Sequence, residues 1–392
     1  MNALAKISDF AEVFAGGGAP QNANDFSEDG IPFLRAGSLP KLLYGAKESD
    51  LEKITNEVAK KHRLQLHQKG SVVFAKSGMS ATKGHIYRLK NDCYIVNHLA
   101  VIKPNAICDS KYLEHALKQY SPTSLILDAA YPSIRLSDIS DFKIPLPPLA
   151  EQQRIAAILD KAEDIKRKRE QAIAKLDELA QNTFVDMFGD PSINQYGFEI
   201  CKIRDLLTSA SYGTSEKSSL SGTVPVLRMN NITATGELDL TNLKYMDLSE
   251  KDFDKYLAKY GDILFNRTNS PELVGKSALF DTTQPFAFAG YLIRLRANKD
   301  TEPAFIAGYL NTKYAKKTLR NMCKSIIGMA NINAKEIQSM SIPRPPLALQ
   351  TQYKNKVFTI KKMKEVHQRA LKIHVDLTLA LQHQAFTTGF TA

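Results

Sequence analysis

The chain has 392 residues, of which 43% are hydrophobic, and a formal net charge of +11. This length is sufficient for two or three domains, and the surplus of Lys and Arg suits a polyanionic partner because each cation placed on a phosphate releases counterions. No apolar run reaches the roughly 18 residues of a membrane span, and the N-terminus lacks the apolar segment of a secretory signal. The four cysteines form no CxxC pair, which argues against a zinc ribbon or a disulfide scaffold.

Residues 1–145 are predicted to form a first globular domain of mixed α and β structure. Short β-rich runs between turn residues, such as 71–74 and 94–96, predict strands, and residues 111–119 predict a helix. The three consecutive glycines at 16–18 are interpreted as a flexible loop, because a cofactor-binding glycine loop needs a strand before it and a helix after it.

A long helix is predicted in residues 146–190, directly after a proline-rich segment. Proline is tolerated at a helix start because the first N–H groups have no partners in the helix. Gly189 followed by Pro191 predicts the end of the helix. Apolar residues recur in alternating steps of three and four, the pattern of a coiled-coil seam that Arg169 interrupts: Ile155, Ile158, Ala162, Ile165, Ala172, Leu176 and Leu179.

The second half of the chain repeats this organisation, with a mixed domain at 191–341 and a helix at 342–392. Three segments match in the same order: IPFLR at 31–35 with VPVLR at 224–228, KGSVVF at 69–74 with YGDILF at 260–265, and IPLPPLA at 144–150 with IPRPPLA at 342–348. The sequence therefore predicts a tandem repeat. The apolar stripe of the second helix consists of Tyr353, Val357, Ile360, Met363, Val366, Ala370, Ile373, Leu377 and Ala380.

The predicted fold class is α+β, with two tandem mixed α/β domains separated by two long antiparallel coiled-coil helices. About 35 residues in each helix correspond to a length on the order of 50 Å. Packing of the two helices against each other would bury both stripes. A homodimeric coiled coil formed through one helix is the alternative.

The sequence contains no recognisable motif for catalysis, nucleotide binding or metal binding. The chain has no Asn/Asp-Pro-Pro-aromatic tetrapeptide of the kind that holds a flipped adenine in methyltransferases. GKS at 275–277 resembles the end of a phosphate-binding loop, but Ser270 stands where that motif requires its first glycine. The histidines show no HExxH or other ligand spacing. We therefore predict no catalytic residue and no metal ligand.

Two polar loops at matching positions of the repeat are candidates for DNA binding. Arg and Lys pair with phosphates and with guanine, and Asn pairs with adenine, while Ser and Thr also contact phosphates. The alternative for each loop is an ordinary polar surface turn. The candidate contacts are Lys76, Ser77, Ser80 and Lys83 in the first loop and Arg267, Thr268, Asn269 and Lys276 in the second.

A further set of candidates lies before the two helices and after matched strands. Arg35 and Arg228 occupy equivalent repeat positions, and a structural salt bridge is the alternative for both. The residues in this set are Tyr131, Arg135, Asn331 and Asn333 before the helices, and Arg35, Arg228, Asn230 and Asn231 after the strands.

Residues 144–160, IPLPPLAEQQRIAAILD, are followed by a basic heptad helix and strongly resemble the central conserved region of type I restriction–modification specificity subunits. The layout of domain, helix, domain, helix extends the resemblance over nearly the whole chain. The second copy at 342–352 departs from the pattern, because Leu349 replaces the acidic residue and Thr351 the second glutamine.

The resemblance implies a cytoplasmic, non-catalytic subunit for defence against phage. Each domain would be a target recognition domain that reads one half of a bipartite site in double-stranded DNA. The helices, through residues such as Ile155, Ile158, Ile165, Leu176, Leu179, Tyr353, Val357, Ile360 and Leu377, would set the distance between the half-sites. Two methyltransferase subunits using S-adenosylmethionine would dock on the chain, together with nuclease/translocase subunits using ATP and Mg²⁺. The alternatives are a recognition subunit of another defence system with the same layout and a coiled-coil scaffold that reads no DNA.

Overall fold

The structure is a computed structural model that describes residues 4–270, 273–326 and 329–387. The chain divides into two compact units. Unit 1 contains Met1–Lys168 and Leu371–Ala392, and unit 2 contains Arg169–Ala370. Both boundaries fall inside long helices, so each unit is a mixed α/β domain together with parts of both helices.

Unit 1 is built on two four-stranded sheets and a short two-stranded sheet. The first sheet has the order β2-β9-β6-β7, the second β4-β3-β8-β5, and β1 pairs with β10. Only β3 and β8 pair in parallel among the described strands of this unit. The elements are β1 (Leu4–Lys6), α1 (Ile7–Phe10), β2 (Ala11–Ala15), β3 (Ile31–Leu34), α2 (Leu39–Leu43), β4 (Lys53–Ile54), α3 (Asn56–Lys61), β5 (Leu66–His67), β6 (Val72–Ala75), β7 (Ile86–Arg88), β8 (Cys93–Ile95), β9 (Leu99–Pro104), α4 (Ser110–Gln119), α5 (Leu136–Asp141), β10 (Lys143–Pro145) and α6 (Leu149–Phe188).

Unit 2 repeats the three sheets in the same strand order, as β12-β20-β16-β18, β14-β13-β19-β15 and β11-β23. It adds a three-stranded sheet, β17-β22-β21. The elements are β11 (Glu199–Lys202), β12 (Leu207–Tyr212), β13 (Val224–Leu227), β14 (Lys244–Met246), α7 (Phe253–Tyr256), β15 (Leu257–Ala258), β16 (Ile263–Asn266), β17 (Thr268–Asn269), β18 (Ser277–Leu279), β19 (Phe286–Phe288), β20 (Leu292–Ala297), α8 (Pro303–Asn311), α9 (Lys313–Met322), β21 (Lys324–Ile326), β22 (Met329–Asn331), α10 (Ala334–Ser339), β23 (Ser341–Arg344) and α11 (Leu347–Thr387).

The sequences of the elements explain their positions. All four residues of β6 and of β16 are buried, as expected for central strands covered on both faces. The side chain of Asp109 caps α4 by accepting hydrogen bonds from the N–H groups of Lys111 and Tyr112. Pro303 occupies the first turn of α8, where its missing N–H costs no hydrogen bond.

The long helices pair in antiparallel fashion within each unit, as predicted. In unit 1, Ile155 and Leu159 near the start of α6 share a core with Phe386 near the end of α11. In unit 2, Phe184 near the end of α6 packs edge-on against Tyr353 near the start of α11, with ring centroids 5.6 Å apart.

The predicted apolar stripes are correct in part. Ile155, Leu176, Tyr353 and Ile360 are buried, and Ile158, Ile165 and Val357 are partly buried. Leu179 and Leu377 are 48% and 52% exposed, and Met363, Val366, Ile373 and Ala380 are exposed as well. The heptad prediction was therefore wrong at these six positions. A straight helix of 3.6 residues per turn drifts from a seven-residue repeat, so the packed face moves to other residues toward the helix end, such as Phe184, Phe188 and Phe386.

The glycine segment at 16–18 is not the flexible loop that we expected. The N–H of Gly16 donates to Leu99 O at 3.2 Å and that of Gly17 to Ile95 O at 2.8 Å. A Cβ on Gly16 would lie 2.2 Å from Val96 O, so this position requires glycine for close approach of two strands. Gly213 repeats the arrangement in unit 2, where a Cβ would lie 2.2 Å from Phe288 O.

Among the helices of the described residues, none combines the length and apolar character that crossing a bilayer requires.

Candidate nucleic-acid interface

In unit 1, the polar loop after β6 lies beside the segment that leads into α5. Ser77 and Ser133 form an isolated antiparallel bridge. The N–H of Ile134 donates to Lys76 O at 2.8 Å, and the N–H of Gly78 donates to Pro132 O at 2.9 Å. These hydrogen bonds bring together two groups of candidates that are more than fifty residues apart in the sequence. The first group contains Lys76 and Ser77, and the second contains Tyr131 and Arg135 on either side of Ser133.

The side chains of this surface include several free cations. Within the described residues, the side chains of Lys76, Lys83 and Arg135 form neither an ion pair nor a hydrogen bond, and Tyr131 is 82% exposed. Ser77 is engaged, because its hydroxyl lies 2.8 Å from His98 Nδ1. Ser80 is half-buried at the start of a short turn, and Lys83 is the last residue of that turn. Unpaired cations on a rigid backbone suit phosphate contacts.

Unit 2 has the same backbone connection at the matching place. The N–H of Ile332 donates to Arg267 O at 2.9 Å, as that of Ile134 does to Lys76 O. Beyond it, β17 and β22 pair Thr268 with Asn331 and Asn269 with Ala330. Asn331 is exposed and Thr268 is buried, which leaves Asn331 accessible and Thr268 structural. The side-chain oxygen of Asn269 accepts from the N–H of Ser270 at 2.9 Å, and its side-chain NH₂ has no partner within the described residues.

Arg228, Asn230 and Arg267 line one surface depression, which we call the arginine depression; its other lining residues include Glu216, Lys217, Gly290 and Tyr291. The Arg267 guanidinium lies over the Tyr212 ring, 5.0 Å from its centroid, and Arg228 Nη2 donates to Asn242 O at 3.0 Å. Both Nε atoms are buried with no hydrogen-bond partner among the described residues. Among the described residues neither arginine forms an ion pair, so both guanidinium groups retain N–H donors without a partner.

Arg35 differs from our expectation, because its charge is already neutralised. Its Nε donates to Glu52 Oε2 at 2.7 Å, and its guanidinium lies 5.2 Å from the Phe26 ring centroid and 5.3 Å from that of Phe33. The contacts of Arg35 therefore support the alternative interpretation, a structural salt bridge.

Two further candidates are corrected, and a third in part, because their polar groups bind the backbone of unit 2. Asn231 is buried, and its side chain accepts from Arg228 N at 3.0 Å and donates to Asp239 O at 2.8 Å. Asn333 caps α10 by accepting from the N–H of Glu336 at 2.9 Å. The Lys276 amine donates to Met229 O at 3.2 Å and Ile232 O at 2.5 Å, and burial lowers its pKa. The Asn231 and Lys276 side chains fix the loops and are not available to a ligand, whereas the NH₂ group of Asn333 has no partner among the described residues.

Helix α9 presents a basic face that the sequence analysis missed. Lys313, Lys317 and Arg320 are exposed, and their spacing of four and three places them on one side of the helix. Within the described residues none of them has an ion-pair partner. The opposite side carries buried Ala315 and Leu319. The signal was present in the sequence as cations at helical spacing in a segment without acidic residues.

The titratable groups of the described residues do not form a metal centre, since no group of three or more His, Cys, Asp or Glu side chains is suitably placed. The four cysteines are free. Burial raises the pKa of the Cys108 thiol to about 12, which keeps it protonated.

The sequence model described as "Type I restriction modification DNA specificity domain" matches residues 3–175 and 196–372. The chain belongs to the type I restriction–modification specificity subunit family. The two matches correspond to the two halves of the repeat, so the chain carries two copies of the DNA specificity domain.

Among specificity subunits, the type I restriction enzyme EcoKI subunit of Escherichia coli K12 is 24% identical over 399 residues, which cover 95% of this chain and 85% of the relative. The putative MjaX specificity subunit of Methanocaldococcus jannaschii is 30% identical over 186 residues, covering 45% of this chain and 44% of the relative. The type I S subunit of M. genitalium has a similar fold, with a TM-score of 0.63, 14% identity and coverage of 98% of this chain and 96% of that chain. That likeness confirms the two-domain fold with long helices.

Proposed function

We propose that this chain is the non-catalytic DNA-reading subunit of a type I complex, and that each unit reads one half of a bipartite site in double-stranded DNA. One observation carries the proposal. The same backbone connection, Ile134 N–H to Lys76 O in unit 1 and Ile332 N–H to Arg267 O in unit 2, places a polar loop beside the segment before a short helix. In both units this surface carries cations without partners among the described residues.

The two units offer different sets of side chains for reading. Lys76, Lys83, Tyr131 and Arg135 are the candidates of unit 1. Arg228, Asn230, Arg267, Asn269 and Asn331 are those of unit 2. Such a difference between equivalent surfaces agrees with two unlike half-sites, because base edges are distinguished by the donors and acceptors that meet them.

In functional terms we divide the chain into a first target recognition domain (1–145), a first spacer helix (146–190), a second recognition domain (191–341) and a second spacer helix (342–392). The spacer helices would set the distance between the half-sites. The basic face of α9, defined by Lys313, Lys317 and Arg320, would contact phosphates beside the second half-site, since unpaired Lys and Arg on one face suit a regular array of phosphates.

The partners that we propose are two adenine methyltransferase subunits, which would use S-adenosylmethionine, and nuclease/translocase subunits, which would use ATP and Mg²⁺. The name of the Escherichia coli relative, the specificity subunit of a type I restriction enzyme, supports such an assembly. The complex would act in the cytoplasm.

The function is tested by methylome sequencing of cells that express the chain with its neighbouring methyltransferase gene, compared with cells that express the methyltransferase alone. We expect a bipartite methyladenine motif that requires the chain. Absence of any motif, with the methyltransferase expressed and active, would contradict the proposal and favour a scaffold or another defence system.

A further inference from the structure

The two units differ in charge at a position that the strand register makes equivalent. Pro32 pairs with Lys53 in unit 1, and Pro225 pairs with Tyr245 in unit 2. The residue before Lys53 is Glu52, and the residue before Tyr245 is Lys244. The carboxylate that neutralises Arg35 in unit 1 is therefore replaced by a cation in unit 2.

This replacement leaves Arg228 without the partner that its counterpart Arg35 has. Among the described residues, the Arg228 side chain donates one hydrogen bond, to Asn242 O, and it lines the arginine depression together with Arg267. Glu216 and Lys217 also line the depression, and their charges offset each other. The two arginines thus give the depression a net positive charge and a set of unused N–H donors.

Arg267 is held in a defined orientation. Its guanidinium lies over the Tyr212 ring, and the Tyr212 hydroxyl accepts a hydrogen bond from the N–H of Ala334 at 3.0 Å. A guanidinium stacked on a fixed ring presents its edge in a restricted set of directions, which favours bidentate pairing over a diffuse charge contact. The equivalent residue in unit 1 is Lys76, which has a single ammonium group and no fork of donors.

We infer that the arginine depression holds the edge of a guanine in the half-site that unit 2 reads, and that Arg228 and Arg267 determine this specificity. Guanine presents two acceptors, O6 and N7, in the major groove, and an arginine fork matches this pair. The inference rests on the proposed function, because it assigns a base to one of the two reading surfaces. In unit 1, the neutralised Arg35 and the lysine at position 76 give no arginine fork at this place.

The test uses the full chain with its methyltransferase and the bipartite motif found for the wild type. Arg267→Lys and Arg228→Lys keep the charge and remove the fork. Each is expected to reduce discrimination at one G·C base pair of one half-site by about 5- to 150-fold and to leave the other half-site unchanged. Lys244→Glu is expected to reduce discrimination at the same base pair, because the new carboxylate would pair with Arg228 as Glu52 pairs with Arg35. Arg204→Lys is the matched control, since this arginine is exposed and its one ion pair among the described residues is with the neighbouring Asp205 at 3.7 Å.

The outcomes separate the inference from the proposed function. Absence of a wild-type motif contradicts the proposed function itself. A wild-type motif with equal loss of binding to all sequences in the lysine variants overturns the inference and makes the arginines phosphate contacts. Loss at an A·T pair also overturns it. Retention of the other half-site shows that a variant is folded. If Arg228→Lys fails that check, Arg267→Lys and Lys244→Glu decide, because neither removes a hydrogen bond of the described residues.

Discussion

The side-chain oxygen of Gln152 accepts a hydrogen bond from the backbone N–H of Asp109 at 2.8 Å. Its amide nitrogen donates to Pro147 O at 2.8 Å and to Ile107 O at 3.0 Å, and the side chain is 1% exposed. This one residue joins the start of α6 to the start of α4. Gln350 repeats the contact in unit 2, where its oxygen accepts from the N–H of Glu302 at 3.0 Å.

Replacement of this amide should destabilise unit 1. Gln152→Ala leaves the N–H of Asp109 and two carbonyls without partners, and we expect a loss of about 1–3 kcal/mol in the free energy of unfolding. Urea denaturation followed by circular dichroism measures this change. Gln153→Ala is the matched control because Gln153 is exposed at the next position of the same helix. Equal effects of the two substitutions would show that the buried hydrogen bonds contribute little.

Unit 2 contains an ion pair whose carboxylate is buried. Asp262 is 1% exposed, and its carboxylate accepts from Arg296 Nε at 2.7 Å and Arg296 Nη2 at 2.9 Å. Asp262→Asn should cost about 3–5 kcal/mol, because the same carboxylate also lies 3.8 Å from Nε of Arg294, whose side chain is 6% exposed and would keep a buried charge. Asp254→Asn is the control, since that side chain is 94% exposed. A change below about 1 kcal/mol in urea denaturation would contradict the prediction.

The stability of unit 1 should fall between pH 6.5 and about 4 because of His67. Burial lowers the pKa of His67 from 6.5 to about 4, and its Nε2 has no partner among the described residues. Between these two pH values the unfolded chain binds a proton at His67 and the folded chain does not. The contribution of His67 to the free energy of unfolding is therefore complete above pH 6.5. It declines as the pH falls, by at most about 1.4 kcal/mol per pH unit.

The measurement is urea denaturation of the wild type and His67→Leu at several pH values between 6.5 and about 4. The variant should show a shallower decline of stability with falling pH. His383→Asn, at an exposed position on α11, should decline like the wild type. Parallel curves for the wild type and His67→Leu would mean that other groups cause the pH dependence.

The proposed spacer role predicts a change in the DNA motif when the helices are lengthened. Insertion of seven residues into α6 after Ile165, with a matched insertion in α11 before Ile373, adds about 10 Å of helix, which corresponds to about three base pairs. Methylome sequencing should show the same half-sites with a longer gap. A seven-residue insertion in the turn at Lys299 and Asp300 is the control and should leave the gap unchanged. An unchanged gap in the helix variant would refute the spacer role.

The basic face of α9 should contribute to DNA affinity and not to specificity. Changing Lys313, Lys317 and Arg320 to glutamine removes three cations, and the slope of log affinity against log salt concentration should decrease by up to about 3. The motif itself should remain the same. The control changes the exposed Lys251, Lys255 and Lys299 in the same unit. A decrease of equal size in the control would mean that net charge, and not this face, determines the slope.

The elements that depend on local sequence were predicted well. The proline-rich entry and the glycine–proline stop indicated a long helix at 146–190, and the structure has α6 at Leu149–Phe188. The order of the matched segments indicated the tandem repeat, and the sheets of the two units have the same strand order. Local signals are sufficient here because helix ends depend on the chemistry of adjacent residues, and a repeat is visible as soon as two segments match.

The availability of each candidate side chain was decided only by the tertiary structure. Arg35 and Arg228 follow matching strands and look equivalent in the sequence, yet Glu52 neutralises the first and Lys244 stands in its place in unit 2. Lys276 has the composition of a phosphate contact, but its amine binds Met229 O and Ile232 O. The sequence by itself determined the repeat, the long helices and the family, because these depend on order and period along the chain. The structure decided which cations are free, because their partners come from strands and loops that are distant in the sequence and are brought together only by the register of the sheets.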